Sequence, residues 1–377
     1  MGCTVCLWAN TAHYQDGGGH FWVYMNWALG LRANGCRVLW LERVDPRRAQ
    51  SEARPVIAEV KRRLERHGFA DALALCSTTG AALPDWMTRE ALTLEDARRA
   101  DLLLNMTYGT EPEVVSAFRR TALVDIDPGV LQKWLVARTF ELPRHDAYFS
   151  TGETVGRRDA RFPDAGLRWL YTPPCVSLDA WHPAVPGGDA AFTTVSHWYE
   201  DGWVEGEEGF YRNDKRSGFL PYLELPRRTT APLELALCLG ENERGDRALL
   251  EEHGWRVRDA HAVSSSPWAY QEYVQRSLGE FSCAKPAYVR LQTAWMSDRT
   301  LCYLASGKPA LVEHTGPSRL LPDAAGLFRF RSVAEAVQGL EAVQGDYDRQ
   351  CRLARELAEA HFDARRVTRS VLERALA

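Results

Sequence analysis

The sequence predicts an α/β protein built from two Rossmann-like domains. Three observations carry that reading. The chain has 377 residues, enough for two cores of ordinary size. A strand–helix–strand alternation opens at residue 4 and opens afresh at residue 191. Between the two lies a connector marked by Pro173, Pro174, Pro183, Pro186, Gly187 and Gly188. The expected division is 1–182, 189–360 and a last helix over 361–377.

The first unit begins with TVCLWA over 4–9, a short strand apolar on both faces, as in the middle of a parallel sheet. A polar loop follows, ending in Gly17-Gly18-Gly19-His20, and then an apolar run at helical spacing over 21–31. Asn34-Gly35 stops that helix, and residues 37–42 (RVLWLE) form the second strand. Residues 46–70 read as a charged amphipathic helix broken near Pro55. Strands are expected over 72–75, 102–106, 123–126 and 145–150, with a helix over 111–119. Asp127 falls just past a strand's carboxyl end, where ligands of open α/β sheets gather; it either orients a ligand or initiates a turn with Pro128.

The second unit opens with a strand over 191–196, then an aromatic and acidic insert over 197–211. That insert either stacks a sugar or flat ligand on its aromatic faces or packs on itself as a hairpin. Arg212, Lys215 and Arg216 stand at the start of the next helix. Further elements are a strand over 233–239, a helix over 246–253, a strand over 255–257, and a helix over 268–276 capped by the serines before Pro267. The most informative stretch runs from Gly279 to Val312: a strand, a long polar loop holding Lys285 and Arg290, a helix over 298–305 and a second strand. Asp298 is the expected N-cap of that helix, and Ser306-Gly307 its stop. A helix start flanked by Ser297, Arg299 and Thr300 offers amide hydrogens to a phosphate. Amphipathic helices over 332–343, 347–361 and 362–376 close the chain, with no internal repeat.

Composition narrows the function. Apolar residues make up 45% and charged residues 25%, the balance of a globular protein. A formal charge of −4 argues against broad electrostatic binding to nucleic acid. No apolar run approaches the length of a membrane span, and the N-terminus lacks the basic start of a signal peptide, so a cytoplasmic location is expected. The nine cysteines are scattered; Cys3-x-x-Cys6 has no second pair to complete a metal site and reads as buried thiols. No metal site is expected.

The segment SDRTLCYLASGKPALV over 297–312, followed by Glu313-His314-Thr315-Gly316, resembles the donor-binding half of GT-B glycosyltransferases. The likeness covers about 279–330. It implies two Rossmann-like domains facing across a cleft, with the C-terminal helix crossing back to the first. It also implies transfer of a sugar from a nucleoside diphosphate sugar (UDP-, GDP- or dTDP-), metal-independent and without a permanently bound cofactor, to an acceptor that is most simply a small molecule. Lys285, Arg290, Ser297, Asp298, Arg299 and Thr300, with Arg212, Lys215 and Arg216, would then hold the donor diphosphate. Gly18 and Gly19 would wall the cleft, and Ser266, Pro267 and Tyr270 would lie by the base. An inverting reaction needs a base by the acceptor: Asp16, His20 or His13 on the glycine loop, with Asp127 behind them; Glu153, on the loop before the connector, would line the cleft. The paired glutamates (E-x7-E) of the retaining enzymes have no counterpart; Cys302 stands where the second would fall. The alternatives are a sugar-nucleotide epimerase of the same fold, a DNA-modifying glycosyltransferase, or a non-catalytic two-domain binding protein.

Overall fold

The computed structural model describes residues 2–108, 111–206 and 209–377. Its first sheet has eight parallel strands: β1 (Thr4–Trp8), β2 (Arg37–Val44), β3 (Leu73–Ser77), β4 (Leu92–Thr93), β5 (Leu102–Asn105), β6 (Thr121–Asp125), β7 (Ala147–Ser150) and β8 (Trp169–Tyr171). They lie in the order β4-β3-β2-β1-β5-β6-β7-β8, so the chain starts in the middle, winds outward to β4, and returns to the other side of β1 at β5. Val5, Cys6, Leu7 and Trp8 are wholly buried, because helices cover both faces of the sheet.

The second sheet repeats the plan with six parallel strands: β9 (Phe192–His197), β12 (Leu233–Cys238), β13 (Arg256–Asp259), β14 (Gly279–Ser282), β15 (Ala310–Glu313) and β16 (Leu327–Phe330). Their order is β13-β12-β9-β14-β15-β16, which places the reversal between β9 and β14. The aromatic insert forms an antiparallel hairpin, β10 (Trp203–Gly206) with β11 (Gly209–Arg212). The expected strands thus form, in two separate sheets. Edge strands are short: β4 has two residues and β8 three.

Close packing joins the two halves. Helix Gly18–Ala33 lies between helix Ala364–Ala375 and helix Pro267–Arg276. A Cβ on Gly30 would stand 2.5 Å from the Ala364 carbonyl oxygen, so glycine permits the first contact. The chain end therefore returns to the first half, and Val176 of the connector pairs with Asp363. On the other flank, Glu153 is buried and binds Ser318 Oγ at 2.5 Å and the Arg319 guanidinium at 3.0 Å. Thr154 Oγ1 donates to the Gln292 carbonyl at 3.0 Å. Glu153 thus joins the halves rather than facing a ligand.

Several local expectations are corrected. Pro55 does not break its helix, which runs Gln50–Arg66; the proline sits exposed in the second turn, where one lost backbone bond is tolerated. The helix expected over 111–119 is only Pro112–Ser116, and residues 109–110 lie outside the described residues. The polar loop after β14 contains helix Pro286–Leu291, started by proline in its first turn. Helix Asp298–Ala305 is capped by Ser297, whose Oγ accepts from the Arg299 amide at 3.3 Å, so Asp298 is released from capping. Among the described residues no helix is long and apolar enough to cross a membrane.

Candidate functional site

The two reversals face each other. Loops after β1, β9 and β14 leave the carboxyl ends of central strands, the position where open parallel sheets bind ligands. Between them lies a cleft of about 550 Å³.

The first-sheet wall is the loop after β1. Its start is fixed by Glu42, a carboxylate buried in β2 that accepts from the Thr11 amide (2.9 Å), Thr11 Oγ1 (2.5 Å), the Ala12 amide (3.2 Å) and Trp40 Nε1 (2.8 Å). Burial pushes its pKa up, and these donors pull it back. The anchored loop presents His13, Tyr14, Gln15, Asp16 and Gly17, and the following helix adds Gly19, His20, Trp22 and Val23. His20 Nε2 lies 3.1 Å from the Asn10 carbonyl oxygen, a contact that assigns the proton to Nε2 and leaves Nδ1 as the acceptor. Tyr14 and Tyr24 flank the ring at 4.7 and 5.2 Å. Burial lowers the His20 pKa, and His197 across the cleft adds to the effect, so the imidazole is neutral at pH 7. Gly18 does not line the cleft: a Cβ there would stand 2.2 Å from the Ser266 carbonyl oxygen, so this glycine brings the two halves together. Gly19 lines the cleft against the Tyr270 ring.

The second-sheet wall carries the charge. Lys215, Lys285, Ser297, Asp298 and Arg299 line it together with Val195, Ser196, His197, Glu200, Cys238, His261, Ser264, Tyr270 and Cys302. Lys215 begins a short helix capped by Asp214, whose Oδ1 accepts from the Ser217 amide at 2.8 Å. Gly218 lets that helix lie on the Ala284 carbonyl, and Lys215 Nζ donates to the Cys283 carbonyl. Burial, then the charges of Arg299 and Lys285, lower the Lys215 pKa to about 7. Asp298 is raised to about 7, first by burial, with Asp127 adding repulsion. Lys285 is paired with Glu200 at 2.5 Å. Lys215, Lys285 and Arg299 are thus cations gathered on one wall, and they repel one another.

Arg299 contributes less freely than its position suggests. Its Nε binds the fully buried Glu280 at 2.7 Å, one terminal nitrogen donates to the Val195 carbonyl at 3.1 Å, and the other to Ser282 Oγ at 2.7 Å. Its guanidinium ties β9, β14 and the Asp298–Ala305 helix together. Arg212 lies between the rings of Tyr199 and Trp203, Arg216 pairs with Asp246 at 2.7 Å, and Arg290 stacks on Tyr211 at 4.2 Å. None of these three lines the cleft: the rings of the insert hold Arg212 and Arg290, and Asp246 holds Arg216. Thr300 is buried beneath the helix start. Asp127 accepts from the Tyr288 hydroxyl at 2.5 Å and so joins the halves, although it stays near enough to influence Asp298. Ser266 caps helix Pro267–Arg276, and the Pro267 carbonyl accepts from Trp22 Nε1 at 2.8 Å.

Glu200, His197, His261 and Cys238 were not legible as cleft residues. The position of β9 and β12 beside the reversal brings His197, Glu200 and Cys238 there, and helix Ala260–Ser264 after β13 brings His261; no local pattern encodes either. Among the described residues no cluster of three or more His, Cys, Asp or Glu could hold a metal ion.

No protein-family model matches the chain, and no curated protein sequence does. Solved structures do. An α-glucosyltransferase in complex with UDP-glucose and DNA containing an abasic site is similar at 11% identity over 100% of each chain, with a TM-score of 0.59. Anabaena HepE in complex with UDP and glucose is similar at 12% identity over 99% of each chain, with a TM-score of 0.56. Sucrose-phosphate synthase from Thermosynechococcus elongatus is similar at 11% identity over 98% of each chain, with a TM-score of 0.55. At these identities the likeness establishes the fold: two Rossmann-like halves in the GT-B arrangement.

Proposed function

We propose that the protein is a glycosyltransferase that moves a sugar from a nucleoside diphosphate sugar to the hydroxyl of a small acceptor. The observation that carries the reading is the convergence of Lys215, Lys285 and the start of helix Asp298–Ala305 on one cleft at both sheet reversals. These groups supply positive charge where a leaving diphosphate gains negative charge, so the reaction needs no metal cation. Uridine is the proposed base, supported by the UDP and UDP-glucose held by the α-glucosyltransferase and HepE.

In the proposed step the bond between the sugar's anomeric carbon and the diphosphate oxygen breaks, its electron pair leaving with the phosphate. The acceptor oxygen bonds to that carbon and its proton passes to His20 Nδ1, the acceptor nitrogen left free by the Asn10 contact. His13 and Asp16 line the same wall and complete the acceptor side. The formal charge of −4 weighs against a DNA duplex as acceptor, despite the DNA in the α-glucosyltransferase complex.

Calorimetric titration with UDP, GDP and dTDP tests the donor. UDP is expected to bind best, and Lys215→Met to weaken it about 10- to 100-fold, since hydrogen bonds to charged groups contribute ~1.5–3 kcal/mol. UDP binding that Lys215→Met leaves unchanged would remove the cleft from the reading.

The same lysine sets a pH dependence. Lys215 is charged below about 7 and Asp298 is neutral below about 7, so acidification makes the cleft more positive through both groups. A UDP-sugar does not titrate in this range and is expected to bind about tenfold more tightly per participating group at pH 6 than at pH 8. Affinity that is flat, or rises with pH, would mean that neither group meets the diphosphate.

A further inference from the structure

Among the described residues Glu200 is the one carboxylate that pairs with a cleft cation from the rim rather than from the interior. It follows the end of β9 and precedes the β10–β11 hairpin, lines the cleft, and holds Lys285 Nζ at 2.5 Å. The Glu280 partner of Arg299 is fully buried, whereas the Glu200 side chain is 45% exposed and that of Lys285 22% exposed. Glu280 is fixed among strands, while Glu200 has solvent to turn into. The hairpin it leads to has anchors besides that ion pair. Arg212 is held between Tyr199 and Trp203, and Val204 is buried in an apolar cluster with Leu131 of the first half and Leu291.

We propose that Glu200 is an internal competitor for the donor's phosphate: it occupies Lys285 in the empty cleft and is displaced when a diphosphate arrives. The inference rests on the donor reading above and assigns Glu200 a role that reading leaves open. An oxygen of the carboxylate stands where an oxygen of the phosphate will stand, at the same ammonium and with the same charge sign. The exchange keeps Lys285 neutralised in both states, beside Lys215, whose charge burial, and then the neighbouring cations, already suppress. It favours anions that gain more than one cation on binding, because a ligand meeting Lys285 alone only replaces one ion pair by another. Glu200 is thus a specificity-determining residue for a diphosphate over a monoanion.

The test is a double-mutant cycle read by calorimetric titration with UDP at fixed pH and salt. Glu200→Gln is expected to tighten UDP roughly two- to fivefold, the range of a partly exposed ion pair. Lys285→Met is expected to weaken UDP, and Glu200→Gln added to Lys285→Met is expected to give no further gain. Thermal unfolding of all four proteins checks that each is folded. Hydrogen exchange supplies a second readout: UDP should raise exchange over 199–203 in the parent protein and not in Glu200→Gln. An equal gain in both backgrounds would show that Glu200 only repels the ligand through space, and overturns the proposal. So does the absence of any gain. If UDP binds and Lys215→Met weakens it while the cycle fails, this inference falls and the donor reading stands. If UDP does not bind at all, both fall.

Discussion

Replacing His20 by alanine is expected to lower kcat about 10²–10⁴-fold, the usual contribution of a positioned general base, while leaving the dissociation constant of UDP unchanged. The ring is half-buried, neutral, flanked by Tyr14 and Tyr24, and oriented by the Asn10 carbonyl, so its free nitrogen is available at pH 7 without reorganisation. The depressed pKa gives a second signature. Protonation of His20 below its ordinary range should produce an acidic limb in the parent's rate profile, and that limb should vanish in the variant. Steady-state kinetics with a UDP-sugar, together with UDP titration, separate the outcomes. A parallel loss of UDP affinity would place His20 against the donor instead. An unchanged kcat would mean that the acceptor's proton leaves by another route, for instance to the departing phosphate.

The second large effect concerns stability. Arg299→Met is expected to destabilise the protein by ~3–5 kcal/mol, the cost of leaving a buried charge unpaired. Glu280 is wholly buried, accepts from Arg299 Nε at 2.7 Å, and leaves its other oxygen without a hydrogen-bond partner among the described residues. Arg299 also closes two further hydrogen bonds, to Val195 and Ser282, which the methionine cannot replace. The denaturant midpoint measures the loss. Combining Arg299→Met with Glu280→Gln should recover a large part of it, because the orphan charge disappears with its partner. A loss under about 1 kcal/mol would make this pair equivalent to one in solvent, against the observed burial.

Much of the fold was legible because its signals are local. The runs TVCLW and LLLN read as strands covered on both faces, and the strand–helix alternation points to parallel sheets. Helix Asp298–Ala305 has the expected bounds, since Asp, Ser and Gly mark its ends. The cap was assigned one residue late because Ser297 and Asp298 are both good caps and the sequence alone does not rank neighbours. Helix Pro286–Leu291 was missed although Pro286 signals a first turn. The site was half legible. Lys215, Lys285 and Asp298 stand close to the elements that carry them, and so do His13, Asp16 and His20. Arg212, Arg216 and Arg290 share the same neighbourhoods in sequence, yet their side chains turn to aromatic rings or to Asp246. Spacing gives a residue's place on the chain, not the direction in which a long side chain leaves it. Glu200 and His197 required the three-dimensional order of strands.

One feature of the first sheet bears on how the molecule behaves at high concentration. Its outermost strands hold two and three residues, so the row of unpaired amides and carbonyls at either margin is too brief to recruit a strand from another molecule. At the β13 margin of the second sheet, the strand Arg256–Asp259 has charged side chains at three of its four positions, which resist stacking against a like neighbour. Intermolecular β-assembly is thereby discouraged at these margins.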